Sequence, residues 1–463
     1  MVKLADVLIK NACIITMDDE RHIYQDGAIA IVGSKIVAIG EQATVLTEWQ
    51  GKKELDAVGG AIFPGLINTH AHLFQVLLKG LGRDKRIYDW ANSSVRPSRY
   101  YIRPEMAAAA SIVGCLDLLH TGATTVLDFQ YLHDFPGMDR AVIEAISSTG
   151  IRQVYARGLI SPAKIDNGSG YMDNFDHFLA DIVSLKEEYH NNPLISIAAA
   201  PSLISDIPGM DAMHELKETL DRLEMRLTMH INETIDDNEY TNEHYKLDCI
   251  PLLAEVGLLN QRFIAAHCVK MTTKDKGLLL ACGAHVSHNP LSNMILASGV
   301  APIAAMQEQG IAITIATDGA ASNDTNNMLE VLKMTALLQK CSLERPDVVT
   351  AEDVLTFATR AGAKALGLDD KIGSLELGKE ADLFIFQDNT AGAVPMFDPI
   401  SALVYSGSPQ NIVLTMVAGR IVLADGKAVL INEQESFNTV RAYAKELRTI
   451  VDLKNVHWQA SFQ

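Results

Sequence analysis

His70 and His72 stand two residues apart at the end of an apolar run, Phe63-Pro64-Gly65-Leu66-Ile67-Asn68-Thr69. On an extended strand, side chains at i and i+2 point the same way, so both imidazoles reach one cation. Three more apolar runs end on groups of the same kind. Arg226-Leu227-Thr228-Met229 ends in His230, with Glu233 three residues on, and Arg262-Phe263-Ile264-Ala265-Ala266 ends in His267. Ile311-Ala312-Ile313-Thr314-Ile315-Ala316-Thr317 ends in Asp318. Polar residues closing buried strands are what the C-terminal rim of a parallel barrel presents as an active site. His70, His72, His230 and Asp318 suit one divalent ion, Zn²⁺ or Fe²⁺, with a position left for water. Such an ion lowers the pKa of that water towards neutrality and yields hydroxide as nucleophile. His267 is then placed to hold the attacking water against Asp318, and Glu233 to shuttle a proton over the substrate. Asp318 has a second task as acceptor of the water's proton. His22, His120, His133, His177, His190, His214, His244, His285 and His457 have no such context and read as surface or core residues.

These groups need a scaffold that brings strand ends together. Between about 61 and 370, eight strand-like runs (62–69, 124–129, 151–157, 195–200, 226–231, 262–267, 283–287 and 311–317) alternate with helical stretches. Those stretches include Pro104 to His120, Met210 to Leu223 and Asp275 to Ala281. Such alternation implies a parallel sheet, and eight repeats favour a closed barrel over an open, doubly wound sheet. In a closed barrel the eighth strand lies beside the first, which sets Asp318 next to the His70/His72 pair. The fourth strand, Ile195-Ser196-Ile197-Ala198-Ala199-Ala200-Pro201, ends without the Lys or Glu that a two-metal site needs. A single metal is expected.

Both ends of the chain have a different texture. Short β-type runs fill residues 1–60, with a Gly33-Ser34 hairpin turn, and return over 371–430. The expected organisation is one small β domain built from 1–60 and 371–430, a barrel over 61–370 and a tail over 431–463. The tail is amphipathic from Glu433 to Leu453 and is expected to be helical.

Composition sets further bounds. The 463 residues are 48% apolar and carry a net charge of −18, a surface that repels nucleic acid. Six scattered cysteines without CxxC spacing fit free thiols in a reducing cytosol. The N-terminus has no leader pattern, and no run approaches the roughly 18 apolar residues of a membrane span. A soluble cytoplasmic protein is expected.

The chain resembles the amidohydrolase superfamily in its mononuclear aminohydrolase branch, over nearly its whole length. The marks are Phe63 to His72, His230-Ile231-Asn232-Glu233, Ala266-His267-Cys268-Val269 and His288-Asn289-Pro290-Leu291-Ser292-Asn293. Thr317-Asp318-Gly319-Ala320-Ala321-Ser322-Asn323 and Ile372-Gly373-Ser374-Leu375-Glu376-Leu377-Gly378-Lys379-Glu380-Ala381-Asp382-Leu383 complete them. The resemblance implies an α/β protein: a distorted (β/α)₈ TIM barrel with a β-sandwich. It also implies metal ligands at His70, His72, His230 and Asp318, proton handling by Glu233 and His267, and a homo-oligomer. Such enzymes add water to a ring carbon of an N-heterocycle and expel ammonia, an amine or a halide.

Two sub-branches compete for the substrate. Gln75 and Tyr88-Asp89-Trp90 resemble the s-triazine hydrolases, Trp90 suiting a flat ring and Gln75 its substituents. Gly319 offers no side chain to a leaving group, and Gly-Ala-Ala-Ser-Asn looks more like deaminases of S-adenosylhomocysteine or methylthioadenosine. The expected substrate contacts are Gln75, Trp90, Asn293, Ser322 and Asn323. A deaminase of an amino-substituted ring is the first reading and a triazine chlorohydrolase the second. A non-catalytic scaffold is the reading from another class, against which all six functional positions are retained.

Overall fold

The computed structural model describes residues 2–160 and 171–450. Eight parallel strands follow one another in a single sheet: Leu66–His72, Ala123–Gln130, Arg152–Leu159, Ile195–Pro201, Arg226–Ile231, Phe263–His267, His285–His288 and Ala312–Ile315. They are called barrel strands 1 to 8 below. The chain leaves strand 8 through Ala316-Thr317 into a short strand, Asp318–Gly319, which pairs with Ala71 and His72 of strand 1. The sheet thus curls until its last segment meets its first. Helices cover its outside, so strands 1, 2 and 3 are buried along their whole length.

Polar side chains inside the barrel fasten this seam. Thr69 Oγ1 lies 2.8 Å from Ser287 Oγ and 2.7 Å from Thr314 Oγ1, tying strands 1, 7 and 8. Asn68 Nδ2 donates to Thr317 Oγ1 at 2.8 Å, and Thr317 N–H donates back to Asn68 Oδ1 at 3.1 Å. All five side chains are buried, and these bonds meet polar groups that would otherwise be orphaned. They also fix the break after Ile315 that sends Asp318 to the rim.

A second sheet joins the two ends of the chain. It contains Lys3–Ile15, Ile23–Val32, Lys35–Glu41, Trp49–Asp56 and Ala61–Pro64, with Leu383–Phe386, Ile412–Val417, Arg420–Ala424 and Lys427–Ala428. Backbone bonds from Ile36 N–H to the Lys379 carbonyl, and from Ala381 N–H to the Ser34 carbonyl, bring its third strand round to the 379–381 segment. Ile14, Ile29, Ile31, Ile62, Leu383 and Met416 fill the core so enclosed.

The single strand expected over 62–69 is corrected. Ala61–Pro64 belongs to the second sheet and Leu66–His72 to the barrel. Gly65 is the crossing point: a Cβ there would lie 2.0 Å from Thr124 Oγ1, and its N–H donates to the Asp382 carbonyl at 2.9 Å. Only glycine passes so close to a neighbouring strand. The helix expected from Asp275 starts earlier, at Thr273, because Thr272 and Asp275 form a capping box.

Arg152 of barrel strand 3 grips Asp382 of the second sheet with two bonds of 3.0 Å, and both side chains are nearly sealed from solvent. Arg152→Ala strands the carboxylate, so unfolding stability is expected to fall by about 3–5 kcal/mol. A urea titration measures it, and a change under about 1 kcal/mol would contradict the account.

The tail helix spans Glu433–Ile450; residues 451–453 of the expected helix lie outside the described residues. It lies on helix Pro104–Leu119, where Arg103 Nη1 donates to Glu446 Oε1 at 2.8 Å and Leu447 is buried. Among the described residues no helix is long and apolar enough to cross a membrane.

Candidate metal centre

Strand ends 1, 5 and 8 bring four groups to one point. His72 Nε2 is 3.2 Å from His230 Nε2 and 3.3 Å from Asp318 Oδ1, and His70 Nε2 is 3.5 Å from the same oxygen. His72 Nδ1 faces the Phe129 carbonyl at 2.7 Å, and His230 Nδ1 faces the Ser202 carbonyl at 2.9 Å. Each δ nitrogen donates outward, so each Nε2 presents a lone pair to the centre. Two such lone pairs at 3.2 Å have nothing to share unless a cation lies among them. Both nitrogens of the fully buried His70 also have no hydrogen-bond partner. An orphaned imidazole beside converging acceptors fits a divalent ion.

The titration of the cluster agrees. Burial, aided by neighbouring imidazoles, pushes His70 down to about 4 and His72 and His230 to about 3. All three are neutral at pH 7, the form that ligates. Burial works against ionised Asp318, but the His70 imidazole 3.5 Å from its Oδ1 and the charge of His267 hold it well below the ordinary range. Three neutral imidazoles and a carboxylate are the donors a divalent metal takes.

His267 and Glu233 stand beside this cluster. His267 Nε2 is 3.5 Å from Glu233 Oε2 and 3.9 Å from Asp318 Oδ2. Burial lowers His267, but Glu233 and Asp318 outweigh it and carry its pKa above the ordinary value. Burial raises Glu233, with Asp318 adding to the effect. Asn232, His267 and Asp318 all have left-handed backbone, with φ of 50°, 72° and 62°. Such strain in residues with a Cβ persists only where the surroundings over-determine it, and here it turns three strand ends towards one centre.

Residues 61–422 match the model of the amidohydrolase family. The chain belongs to that family. The chain is 32% identical to a 5-methylthioadenosine/S-adenosylhomocysteine deaminase of Nitratidesulfovibrio vulgaris, over 92% of this chain and 94% of that protein. Among solved structures it resembles a zinc-bound adenosine deaminase of Xanthomonas campestris (TM-score 0.90, 25% identity, 97% of this chain and 100% of that one). It also resembles the zinc complex of atrazine chlorohydrolase from Arthrobacter aurescens TC1 (TM-score 0.85, 25% identity, 95% and 100%). The protein is a hydrolase acting on carbon–nitrogen bonds, with a divalent-metal site.

In this amidohydrolase a cavity of about 560 Å³ opens over the cluster, lined in part by His72, His230, Glu233, His267 and Asp318. Gln75, Trp90 and Ser322 reach its wall; Asn293 and Asn323 do not. Asn293 Oδ1 instead accepts from His267 Nδ1 at 2.9 Å, and Asn323 Nδ2 donates to the Thr317 carbonyl at 2.8 Å. One end of each amide is thus held inside the wall, while Asn293 Nδ2 and Asn323 Oδ1 are buried without a partner, so the cavity lining does not carry their expected contact with substrate.

Two neighbours escaped the sequence reading. Ser298 Oγ donates to Glu233 Oε1 at 2.8 Å, from 65 residues away in a loop without a motif. Asp237 accepts the N–H groups of Glu233 and Thr234 at 2.7 and 3.2 Å. Its place in the first turn of helix Asp236–Tyr245 was a readable signal, since carboxylates there cap free N–H groups.

Proposed function

We propose that this amidohydrolase is a hydrolytic deaminase that replaces the amino group of an adenosine-type N-heterocycle with oxygen. The observation that carries the reading is Glu233, buried over the ligand cluster with His267 and Asp318 beside it. His70, His72, His230 and Asp318 would hold one divalent ion, zinc as first choice, which supplies an acidified water as nucleophile. Glu233 delivers a proton to the ring nitrogen next to the amino-bearing carbon and makes that carbon electrophilic. His267 holds the incoming water against Asp318, with Asn293 fixing its ring. Asp318 takes a proton from the water and passes it to the amino group; as the carbon–nitrogen bond breaks and ammonia leaves, the new hydroxyl becomes a carbonyl and its proton returns to Glu233.

Purine nucleosides are favoured over triazines on two grounds. The deaminase relative named above is 32% identical over nearly the whole chain, and Gly319 offers no side chain to a halide. A panel of methylthioadenosine, S-adenosylhomocysteine, melamine and atrazine, read for ammonia and chloride, tests the choice. Ammonia from a nucleoside is expected; chloride from atrazine with silent nucleosides would overturn it. A cytoplasmic location suits the six free thiols.

Asn293→Ala frees the His267 ring. Turnover is expected to fall about 10²-fold with metal content unchanged, since small misplacements of a reacting group cost that much. Steady-state kinetics beside metal analysis checks this, and wild-type turnover would contradict it.

A further inference from the structure

Gln75 and Trp90 reach the cavity wall, yet each has a polar atom engaged on the same residue of the loop that follows Asp318. Gln75 Oε1 accepts from Ala321 N–H at 3.2 Å, and Trp90 Nε1 donates to the Ala321 carbonyl at 2.8 Å. Both backbone groups of Ala321 are therefore held by side chains from the segment after barrel strand 1. The nitrogen of the same Gln75 amide donates to Tyr131 Oη at 2.8 Å, and the Tyr131 ring lies 4.8 Å from that of His72. Gln75 is 1% exposed, so this amide has little room to turn towards a ligand.

The loop so held begins at Asp318, whose backbone sits at φ 62°. A residue with a side chain stays there only if its surroundings insist. Ser322 and Asn323 bind within the loop itself, to the Gly319 and Thr317 carbonyls. Gln75 and Trp90 instead tie it to the segment that follows the strand supplying His70 and His72. A third observation joins them: a Cβ on Gly319 would lie 2.0 Å from Gln75 Oε1 and 2.3 Å from its Cδ. The Gln75 amide fills the space a side chain at 319 would need.

We propose that Gln75 and Trp90 are positioning residues, a two-point clamp on Ala321 that fixes the Asp318 carboxylate against the histidine cluster. Gly319 is the clamp's counterpart, glycine because Gln75 occupies its side-chain volume. The consequence for turnover rests on the deaminase reading; the physical coupling between positions 75 and 319 does not.

The test is a cycle of Gln75→Ala, Gly319→Ala and the double variant, with Trp90→Phe alongside to keep an aromatic side chain and remove the N–H. Melting temperature is read on each, with metal content and, on methylthioadenosine, kcat and KM. Gly319→Ala alone is expected to lower Tm by several degrees, and to cost little more once Gln75 is alanine. Trp90→Phe is expected to lower kcat by about 10–100-fold while KM and metal content hold. Additive Tm shifts, or no shift from Gly319→Ala, would overturn the shared volume. A raised KM with unchanged kcat in Trp90→Phe would make Trp90 a substrate contact and overturn the clamp. If methylthioadenosine is not turned over, the substrate reading fails while the Tm cycle still decides the coupling.

Discussion

Glu233→Gln lowers ammonia release by about 10²–10⁴-fold and leaves metal content at the wild-type level. The two halves of this result separate acid catalysis from metal binding. Glu233 is buried, and it belongs to neither of the residue groups whose ligand atoms converge on one point. Ser298 Oγ donates to its Oε1, and the amide oxygen of glutamine accepts the same bond, so the side chain keeps its place. What glutamine lacks is a proton of suitable acidity. Burial raises the pKa of Glu233 and keeps that proton available nearer to neutral pH. Turnover on methylthioadenosine with metal analysis of the same sample decides the matter. Undiminished turnover would remove the acid role, and a parallel loss of metal would move Glu233 into the binding of the ion.

His70→Ala empties the site. Both of its ring nitrogens are buried without a partner, so the imidazole has no structural bond to preserve. Its one evident task is the cation it shares with His72, His230 and Asp318. Removing a ligand costs more than the 10–100-fold loss typical of an outer partner, so affinity is expected to fall by more than about 100-fold. The same change appears in thermal stability. An ion that binds only the folded chain stabilises it by about 2.7 kcal/mol at a hundred times its Kd. Added zinc is therefore expected to raise the Tm of the metal-stripped wild type and to leave His70→Ala unmoved. Full metal occupancy in the variant would refute the ligand assignment.

Much of this centre was legible because its signals are local. His70 and His72 share a face by strand periodicity alone, and His230, His267 and Asp318 each close an apolar run. Once eight runs imply a closed barrel, the nearness of Asp318 to His72 follows from closure, and the two strands do pair there. The crossing at Gly65 was only half legible, because apolar residues continue on both sides of the Pro64-Gly65 break. Pro64-Gly65 marks a break in the run, but not that its two halves join different sheets; the approach of Thr124 to Gly65 shows that. Gln75 is expected as a substrate contact on its resemblance, with Trp90, to the s-triazine hydrolases. Its partner Ala321 lies 246 residues away, a pairing that no local pattern announces. Asn293, in the helix Pro290–Ile295 after strand 7, is the same lesson: the motif marked it as important, and only the fold shows its amide facing His267.

Titrating zinc into metal-free protein while following ammonia release from methylthioadenosine tests the central claim most directly. One cluster with one place for an ion predicts no turnover at the start, a linear rise and a plateau at one equivalent per chain. Turnover without metal, or a plateau only after a second equivalent, would contradict it.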